Sequence, residues 1–193
     1  MSDPSPTAAP PASLTLATPC NLFLVGPMGA GKSAVGRALA QLLTLRFIDS
    51  DTEIERRTGV DIPFIFEREG EMGFRVRERD VLDDLTQWAG IVLATGGGAV
   101  IRPENCARLQ ARGTVIYLQA SVAQQLERTQ HSRHRPLLWD KDPAARLAEL
   151  LAVREPLYRS IAHLVVSTDR RKVATVAEAI VQGLAALDAE RIG

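Results

Sequence analysis

Short apolar runs alternate with longer amphipathic stretches along most of this chain, and that alternation is typical of an α/β protein with a parallel sheet. The first apolar run, residues 21–25, predicts a buried strand. The stretch after it predicts a helix beginning at Lys32, because its apolar residues recur at helical spacing: Ala34, Val35, Ala38, Leu39, Leu42 and Leu43. Further apolar runs predict strands over residues 46–48, 91–94, 115–118 and 164–166.

Helical patterns fill the intervals between these predicted strands. They cover residues 52–58, 62–69, 71–88, 103–112, 122–129, 143–154 and 173–187. Helices that connect parallel strands cover both faces of their sheet, so the pattern predicts a three-layer α/β/α sandwich around a central five-stranded parallel sheet. No internal repeat or long linker divides the sequence, and we expect residues 20–190 to form one domain.

The charge balance of the chain limits its partners. Its 193 residues carry 23 basic and 23 acidic side chains, which leaves no large basic surface for nucleic acid or for an anionic membrane. No apolar stretch reaches the roughly 18 residues of a membrane span, and the proline-rich residues 1–19 predict a disordered tail rather than a signal peptide. Cys20 and Cys106 lack the spacing of a metal or redox motif. We therefore expect a cytoplasmic protein with free thiols, and a monomer by default.

A phosphate-binding loop follows the first predicted strand. Residues 26–33 read G-P-M-G-A-G-K-S, and the predicted helix begins at Lys32, within this motif. The backbone N–H groups of such a loop and the positive end of its helix dipole both point at the phosphates of a nucleotide. Lys32 is expected to reach the β- and γ-phosphates, and the Ser33 hydroxyl to bind Mg²⁺. A plain glycine-rich turn is the alternative, but such a turn does not require Lys-Ser at its end.

Two carboxylates follow the second predicted strand, in the triplet Asp49-Ser50-Asp51. Ligands of open parallel sheets bind at the carboxyl ends of the strands, so these acids are expected beside the phosphate loop. Two residues apart in an extended chain, they would point to the same side, where one serves the metal and the other faces a hydroxyl. Alternatively, Asp51 or Thr52 caps a helix beginning at Thr52, since Thr52 and Glu55 fit a capping box. Capping accounts for one acid but not for both.

The third predicted strand ends in Thr95-Gly96-Gly97-Gly98, where most phosphate-loop enzymes carry an acidic residue for the metal. Three successive glycines let the backbone come very close to a ligand and offer N–H groups to it. The alternative is a tight turn, which a single glycine would satisfy. We therefore expect this segment to contact a ligand.

A helix with a candidate anion-binding arginine lies between these segments, and it opens with G-E-M-G-F-R-V-R-E over residues 70–78. Phe74, Glu78, Val81 and Leu82 share one face of it. If Phe74 faces the pocket, Arg75 beside it can bind a ligand carboxylate through two parallel N–H groups, which lysine cannot offer. Taken alone, Arg75 is better explained as a solvated helix residue, and only the wider pattern favours a role in binding.

Six motifs together resemble those of the shikimate kinases. In chain order they are G-P-M-G-A-G-K-S, Asp49-Ser50-Asp51, G-E-x-x-F-R-x-x-E over residues 70–78, T-G-G-G, Arg135-Pro136-Leu137-Leu138, and R-x-P-L-Y over residues 154–158. The phosphate loop alone is unspecific, whereas the six in this order are highly specific and span residues 22–171. The resemblance implies a P-loop NTPase fold similar to that of nucleoside monophosphate kinases, with a mobile lid, and ATP-dependent phosphorylation of the 3-hydroxyl of shikimate.

The resemblance also assigns the acceptor side of the site, whose helices are expected over residues 52–88. Arg75 and Arg154 resemble the pair that clamps the shikimate carboxylate, and Glu78 resembles the residue that orients the first arginine. Asp51 matches the position that accepts from the ring hydroxyls, and Gly97 supplies a backbone donor. The remaining positions carried over are the hydrophobic wall of Ile62, Phe66 and Phe74, and the flanking glycines Gly96 and Gly98.

On the nucleotide side the resemblance implies ATP as co-substrate and Mg²⁺ as cofactor. Lys32, Mg²⁺ and Arg135 would neutralise the phosphoryl oxygens while Asp51 orients or deprotonates the attacking hydroxyl. Asp49 would hold a metal-bound water, and Ser33 would bind the ion directly. The nucleotide-binding positions carried over are Gly29, Ala30, Gly31, Lys32, Ser33, Ala34, Arg135 and Arg128, which resembles the residue that stacks on adenine.

Residues 129–140 are polar and basic and lack helical periodicity, which predicts the lid that carries Arg135. An ordinary surface loop is the alternative. We assign His131 and His134 to solvent, because a metal site would need further ligands.

Two other functions stay open at this point. A shikimate-binding sensor without catalysis should show a damaged Lys32, Asp51 or Arg135 and a fused DNA-binding segment, and the sequence shows neither. A kinase for gluconate or nucleotides should lack the acids at residues 49 and 51 together with Arg75, the three glycines and Arg154. Gluconate kinase is the closer rival, because it too needs a clamp for a carboxylate.

Overall fold

Five parallel strands form a single sheet in the structure, a computed structural model that describes residues 21–129 and 142–192. The strands are β1 (Leu22–Val25), β2 (Arg46–Asp49), β3 (Ile91–Ala94), β4 (Thr114–Gln119) and β5 (Leu164–Ser167). Their order in the sheet is β2-β3-β1-β4-β5, so β1 lies in the centre, where Leu24 pairs with Ala94 on one side and Ile116 on the other.

The side chains of β1 alternate between two hydrophobic cores. Leu22 and Leu24 point into one core, and Phe23 and Val25 point into the other. All four are fully buried, which explains why this strand reads as an unbroken apolar run instead of alternating with polar residues.

Helices cover both faces of the sheet. They are α1 (Lys32–Leu43), α2 (Ser50–Thr58), α3 (Ile62–Leu85), α4 (Pro103–Arg112), α5 (Val122–Thr129), α6 (Pro143–Ile161) and α7 (Val173–Ile192), with a short 3₁₀ helix over Ala99–Ile101. Helices α1 and α7 pack in the core of Leu22 and Leu24, while α3, α4 and α6 pack in the core of Phe23 and Val25. The predicted three-layer α/β/α sandwich with five parallel strands is confirmed.

The largest difference from the predicted boundaries is in α6. The helical pattern predicts an end at Arg154, two residues before Pro156. In the structure α6 continues through Pro156 to Ile161. Tyr158 and Ile161 are buried in the core, and their packing offsets the cost of the proline.

The start of α2 corrects a second prediction. Asp49 is the N-cap, and its carboxylate accepts from the backbone N–H groups of Asp51 and Thr52. Neither Asp51 nor Thr52 is the cap, and Asp51 lies in the first helical turn, not in extended chain. Strand β2 ends at Asp49 and α2 begins at the next residue, Ser50. Thr52 therefore already lies inside the helix and cannot be the N-cap of a capping box with Glu55.

The predicted break at Gly70 is present as a kink inside α3. Gly70 has φ 67° and ψ −176°, whereas the residues before and after it are helical. The second half ends at Leu85, earlier than the predicted Trp88. Residues from both halves of α3, such as Phe66 before the kink and Phe74 after it, line one pocket.

Two predicted segments lie outside the described residues. They are the tail over residues 1–19 and the lid over residues 129–140, except for Thr129, which is the last residue of α5. Within residues 21–129 and 142–192, no helix combines the length and the apolar character needed to cross a bilayer.

Candidate active site

A pocket of about 510 Å³ opens where β1, β2 and β3 end. Its volume lies in the range of small-molecule sites, roughly 300–1,000 Å³. The segments that follow these three strands line it, together with parts of α2, α3, α5 and α6. Among the residues predicted for the site, the pocket gathers Gly29, Gly31, Lys32, Ser33, Ala34, Asp49, Asp51, Phe66, Phe74, Arg75, Glu78, Gly96, Gly97, Gly98, Arg128 and Arg154.

The phosphate loop forms one end of the pocket. Gly29 and Gly31 adopt φ angles of 75° and 89°, which L-residues with side chains rarely tolerate, and Ala30 between them is fully buried. Gly31 is the N-cap of α1 and provides no side chain to cap the first turn. The Lys32 ammonium donates to the carbonyl oxygens of Gly26 and Pro27, at 2.7 and 2.9 Å. The loop therefore presents a helix N-terminus and a cation to the pocket.

Ser33 and Asp49 place a hydroxyl and a carboxylate side by side next to this loop. The Ser33 hydroxyl donates to Asp49 Oδ2 at 2.6 Å, while Asp49 Oδ1 accepts from the backbone N–H of Asp51 at 3.1 Å. Hydroxyl and carboxylate oxygens suit Mg²⁺, which keeps several waters and binds substrate phosphates. Within the described part of the chain no group of three or more His, Cys, Asp or Glu could hold a metal by itself. The residues thus fit an ion that takes most of its ligands from phosphate and water.

Asp51 lies in the first turn of α2 and lines the pocket, half-buried. The buried hydroxyl of Ser50 connects it to the glycine segment: Ser50 Oγ accepts from the Gly96 N–H at 3.0 Å and lies 3.5 Å from Asp51 Oδ1. Asp49 and Asp51 both face the pocket, as predicted, but through a cap and a helical turn. The sequence offered Ser50 only as the residue between two acids, and its role in joining the two segments was missed.

The three glycines after β3, Gly96 to Gly98, form a turn that side chains of the site press against; we call it the glycine turn. A Cβ on Gly96 would lie 2.6 Å from Glu78 Oε1 and 2.8 Å from Asp51 Oδ1. A Cβ on Gly98 would lie 2.5 Å from the guanidinium carbon of Arg75. A tight turn alone would not need these glycines, since the crowding comes from residues of α2 and α3.

Arg75 is held between two carboxylates at the centre of the pocket wall. Its Nη1 donates to Glu78 Oε2 at 2.7 Å, and its Nη2 donates to Glu71 Oε1 at 3.0 Å. Arg75 is 8% exposed and Glu78 is 0% exposed, whereas Glu71 is exposed. Arg75 is therefore a pre-oriented, buried cation and not a solvated helix residue.

Burial is the largest single influence on the pKa of each partner, Arg75 and Glu78, but the net result differs in origin. Burial raises the pKa of the Glu78 carboxyl above its ordinary value, and the charges of Arg75 and Arg154 offset only part of the rise. Burial also acts to lower the pKa of the Arg75 guanidinium, but Glu78 and Glu71 outweigh it, so that pKa is raised. Glu78 Oε1 is buried and accepts no hydrogen bond from the described residues.

Aromatic residues of α3 wall the pocket on either side of the kink. The rings of Phe66 and Phe74 lie 4.8 Å apart between centroids, and the Arg75 guanidinium carbon is 5.2 Å from the Phe74 centroid. Ile62 lines the same wall. This apolar surface removes water from the vicinity of Arg75, which strengthens its interaction with an anion.

Two further arginines complete the lining. Arg154 on α6 is 8% exposed and lies near enough to Glu78 to affect its pKa. Arg128 on α5 donates to the carbonyl oxygens of Gly29 and Thr168, at 3.0 and 2.8 Å, and so spans the phosphate loop and the end of β5. Arg154 thus lies on the side of Arg75, and Arg128 on the side of the loop. Arg135 falls outside the described residues.

The pocket also contains residues that the sequence reading did not assign to it. Glu55 lines it, and its Oε1 accepts from the Ile62 N–H at 3.1 Å, which ties α2 to the start of α3. Its spacing of four residues from Asp51 places both on one face of α2, a signal that could have revealed it. Met28, Asp61, Pro63 and Thr95 also line the pocket.

Comparison with known proteins places the whole arrangement in one family. A family model described as shikimate kinase matches residues 28–185. A shikimate kinase of Halorhodospira halophila is 59% identical over 167 residues, which cover 86% of this chain and 94% of that protein. A shikimate kinase of Ralstonia nicotianae is 56% identical over 164 residues, 85% of this chain and 86% of that protein.

Solved structures agree with the sequence comparisons. The structure of shikimate kinase from Acinetobacter baumannii in complex with shikimate matches with a TM-score of 0.86 and 49% identity, over 88% of this chain and 95% of that chain. A gluconokinase from Sinorhizobium meliloti matches with a TM-score of 0.57 but 17% identity, over 90% of this chain and 96% of that chain. The second likeness extends to the fold alone.

Proposed function

The chain belongs to the shikimate kinase family, and from that premise we propose that it transfers the γ-phosphoryl group of ATP to the 3-hydroxyl of shikimate, giving shikimate 3-phosphate and ADP. One observation carries the proposal: a single pocket joins a complete phosphate loop to a buried arginine that two carboxylates orient. A nucleotide and a small carboxylate would therefore meet in one water-poor space.

The phosphate side supplies charge stabilisation. Lys32 now donates to two carbonyls of its own loop, and a bound polyphosphate would take over these donor positions. Ser33 and Asp49 would hold Mg²⁺, Ser33 directly and Asp49 through water. When bound, the ion neutralises charge on the β- and γ-phosphoryl oxygens.

The acceptor side supplies orientation. Arg75 and Arg154 are both buried in the wall and together can bind a carboxylate with planar, directional donors. The ring of the acceptor would lie against Phe66 and Phe74. Its hydroxyls would then face Asp51 and the Gly97 backbone.

Asp51 acts as the general base of the reaction. It orients the 3-hydroxyl and accepts its proton as the oxygen forms a bond to the γ-phosphorus, while the bond from that phosphorus to the β–γ bridging oxygen breaks. Hydrogen bonds through Ser50 connect Asp51 to the glycine turn. We extend the proposal to Arg135, as a cation for the transferred group. The cytoplasmic location, the monomeric state and the lid stay predictions.

The test is ADP release by the purified protein with Mg²⁺ and ATP, in the presence of shikimate, gluconate, a nucleoside monophosphate or no acceptor. We expect shikimate alone to stimulate release strongly. Tight binding of shikimate without turnover would indicate a sensor, and stimulation only by another acceptor would reject the proposed substrate.

A further inference from the structure

The hydroxyl of Tyr158 joins α6 to the glycine turn. Tyr158 is 0% exposed, and its Oη donates a hydrogen bond to the carbonyl oxygen of Gly97, 61 residues away along the chain. That carbonyl and the N–H of Gly98 belong to one planar peptide group. The hydrogen bond therefore fixes the orientation of the whole Gly97–Gly98 peptide at the edge of the pocket.

The same peptide lies between the two halves of the site. On one side, a Cβ on Gly97 would lie 3.5 Å from the Gly26 carbonyl oxygen in the phosphate loop. On the other side, Gly98 packs against the Arg75 guanidinium. A rotation of this peptide would change the position of the backbone relative to both.

Tyr158 also shares a helix face with Arg154. The two residues are four apart in α6, so they lie one turn from each other on the same side. Burial raises the pKa of the Tyr158 hydroxyl well above its ordinary value, although Arg154 opposes the rise through its charge and a hydrogen bond. The hydroxyl consequently stays protonated, and stays a donor, at any pH used for assay.

The ring of Tyr158 is held independently of its hydroxyl. It stacks on Tyr117 of β4, with 5.1 Å between the centroids and 22° between the planes. Tyr117 is equally buried, yet its Oη has no hydrogen-bond partner in the described part of the chain. The two rings thus make similar packing contacts, and only one hydroxyl reaches the site.

We propose that Tyr158 is a positioning residue for the phosphoryl acceptor: its hydroxyl holds the glycine turn in register with Arg154 and Arg75, so that the acceptor can contact all three at once. The inference rests on the proposed function, because it concerns the acceptor of that reaction. Tyr158 itself does not line the pocket. It acts through the Gly97 carbonyl.

The experiment compares Tyr158→Phe with Tyr117→Phe, which removes a hydroxyl from the other ring of the stacked pair. Steady-state kinetics would be measured for shikimate and for ATP, together with the rise in Tm that saturating shikimate or ADP produces in each variant. We expect Tyr158→Phe to raise the shikimate KM roughly tenfold, with kcat and the ATP KM within about twofold of the wild type. The Tm rise with shikimate should shrink while the rise with ADP stays. Tyr117→Phe should match the wild type in every kinetic constant.

The other outcomes separate this inference from the proposed function. If the wild type does not respond to shikimate, the proposed function fails before either variant is measured. If the wild type is active and Tyr158→Phe keeps its shikimate KM, only the inference fails. If the rise in Tm with shikimate and the rise with ADP shrink equally in Tyr158→Phe, the role of Tyr158 is only structural. That outcome would also overturn the inference.

Discussion

Asp51 illustrates how much of a pocket side chain's position comes from its neighbours. It follows the N-cap Asp49 and the buried Ser50, whose hydroxyl accepts from Gly96 across the sheet edge. The two acids both face the pocket but have different surroundings: Asp49 accepts from backbone N–H groups and from Ser33, whereas Asp51 accepts from the Ser50 hydroxyl. This difference supports the proposed roles, in which Asp49 holds a metal-bound water and Asp51 accepts a proton.

Replacing Asp51 with asparagine tests its role directly. Asp51→Asn keeps the shape of the side chain but removes the proton acceptor, so we expect kcat to fall by roughly 10²- to 10⁴-fold. ADP affinity should change little, because Asp51 lies on the acceptor side. Rapid-quench kinetics and ADP titration would check both, with Asp80→Asn at the surface as a control for the lost charge. Turnover near that of the wild type would remove Asp51 from the mechanism.

Arg75 is the second residue whose environment determines its use. Arg75→Ala should weaken shikimate binding by about 2–4 kcal/mol, because it removes a desolvated cation and leaves Glu78 buried without its partner. The matched control is Arg77→Ala on the same helix, whose partner Glu69 lies at the surface. Calorimetric titration with shikimate measures the difference. An unchanged dissociation constant in Arg75→Ala would place the carboxylate clamp elsewhere.

At the scale of the element, the glycine turn is coupled to α3 by contact. Gly98 has φ −99°, a conformation that alanine adopts, and the three atoms nearest to a Cβ there all belong to the Arg75 guanidinium. Because that obstacle is the end of a flexible side chain, it can move aside without unfolding the protein. The absence of a side chain at Gly98 thus leaves room for the Arg75 guanidinium.

We therefore expect Gly98→Ala to mimic a defect of the clamp. The added methyl group should displace the Arg75 guanidinium and raise the shikimate KM by roughly tenfold or more, with little change in Tm. In a double-mutant cycle with Arg75→Ala, the second substitution should add almost nothing to the first. Full additivity would mean that the methyl group acts on the ligand and not through Arg75.

Helix α2 carries a separate electrostatic feature. Hydrogen bonds and charge from Arg56 and Arg57 lower the pKa of Glu53 to about 2, against its burial. Since the folded-state pKa lies below the ordinary value of 4.5, the ionised carboxylate stabilises the fold above that value, and the stabilisation is lost as the pH falls towards 2.

Glu53→Gln should consequently lower the free energy of unfolding by about 1 kcal/mol near neutral pH. The difference from the wild type should shrink at about pH 3. Urea denaturation at the two pH values measures both effects. The control is Glu67→Gln, an exposed carboxyl that forms no ion pair with the residues described by the structure. A difference that grows on acidification would contradict the assignment.

At the scale of the whole molecule, the sheet order brings two functions to one edge. Segments that are distant in the chain follow β1, β2 and β3, which are neighbours in the sheet. The phosphate loop and the wall that contains Arg75 therefore meet in one pocket, although they belong to different helices.

Removal of Mg²⁺ should consequently affect one side of the pocket and spare the other. With a chelator present, we expect phosphoryl transfer to stop, while the dissociation constant for shikimate stays within about twofold, because Arg75 and Arg154 bind without the ion. Activity assays and shikimate titration in the same buffer measure the two. A parallel loss of shikimate binding would show that the sides are not independent.

Local patterns were sufficient for much of this molecule. The phosphate loop, the strand cores and the start of α1 depend on residues within one turn or one strand of each other, where spacing and side-chain size decide the conformation. For the same reason the bounds of β3, α4 and α5 follow directly from the sequence. The candidate residues were also identifiable, because their motifs are local.

The sequence could not supply the contacts between distant segments. Whether α6 continues past Pro156 depends on the burial of Tyr158 and Ile161 in the core, which the helical pattern ending at Arg154 did not indicate. The cap of α2 likewise depended on how β2 ends beside Ser33.

The sequence by itself determined the class of fold, the phosphate loop and the family resemblance, since each is expressed in short-range spacing. Tertiary structure decided which residues are buried together: Glu78 beneath Arg75, Gly98 against the same guanidinium, and Tyr158 on the Gly97 carbonyl. The last two contacts join residues of different elements, and the free energy of burying all three depends on the packing of the whole chain and not on any local pattern.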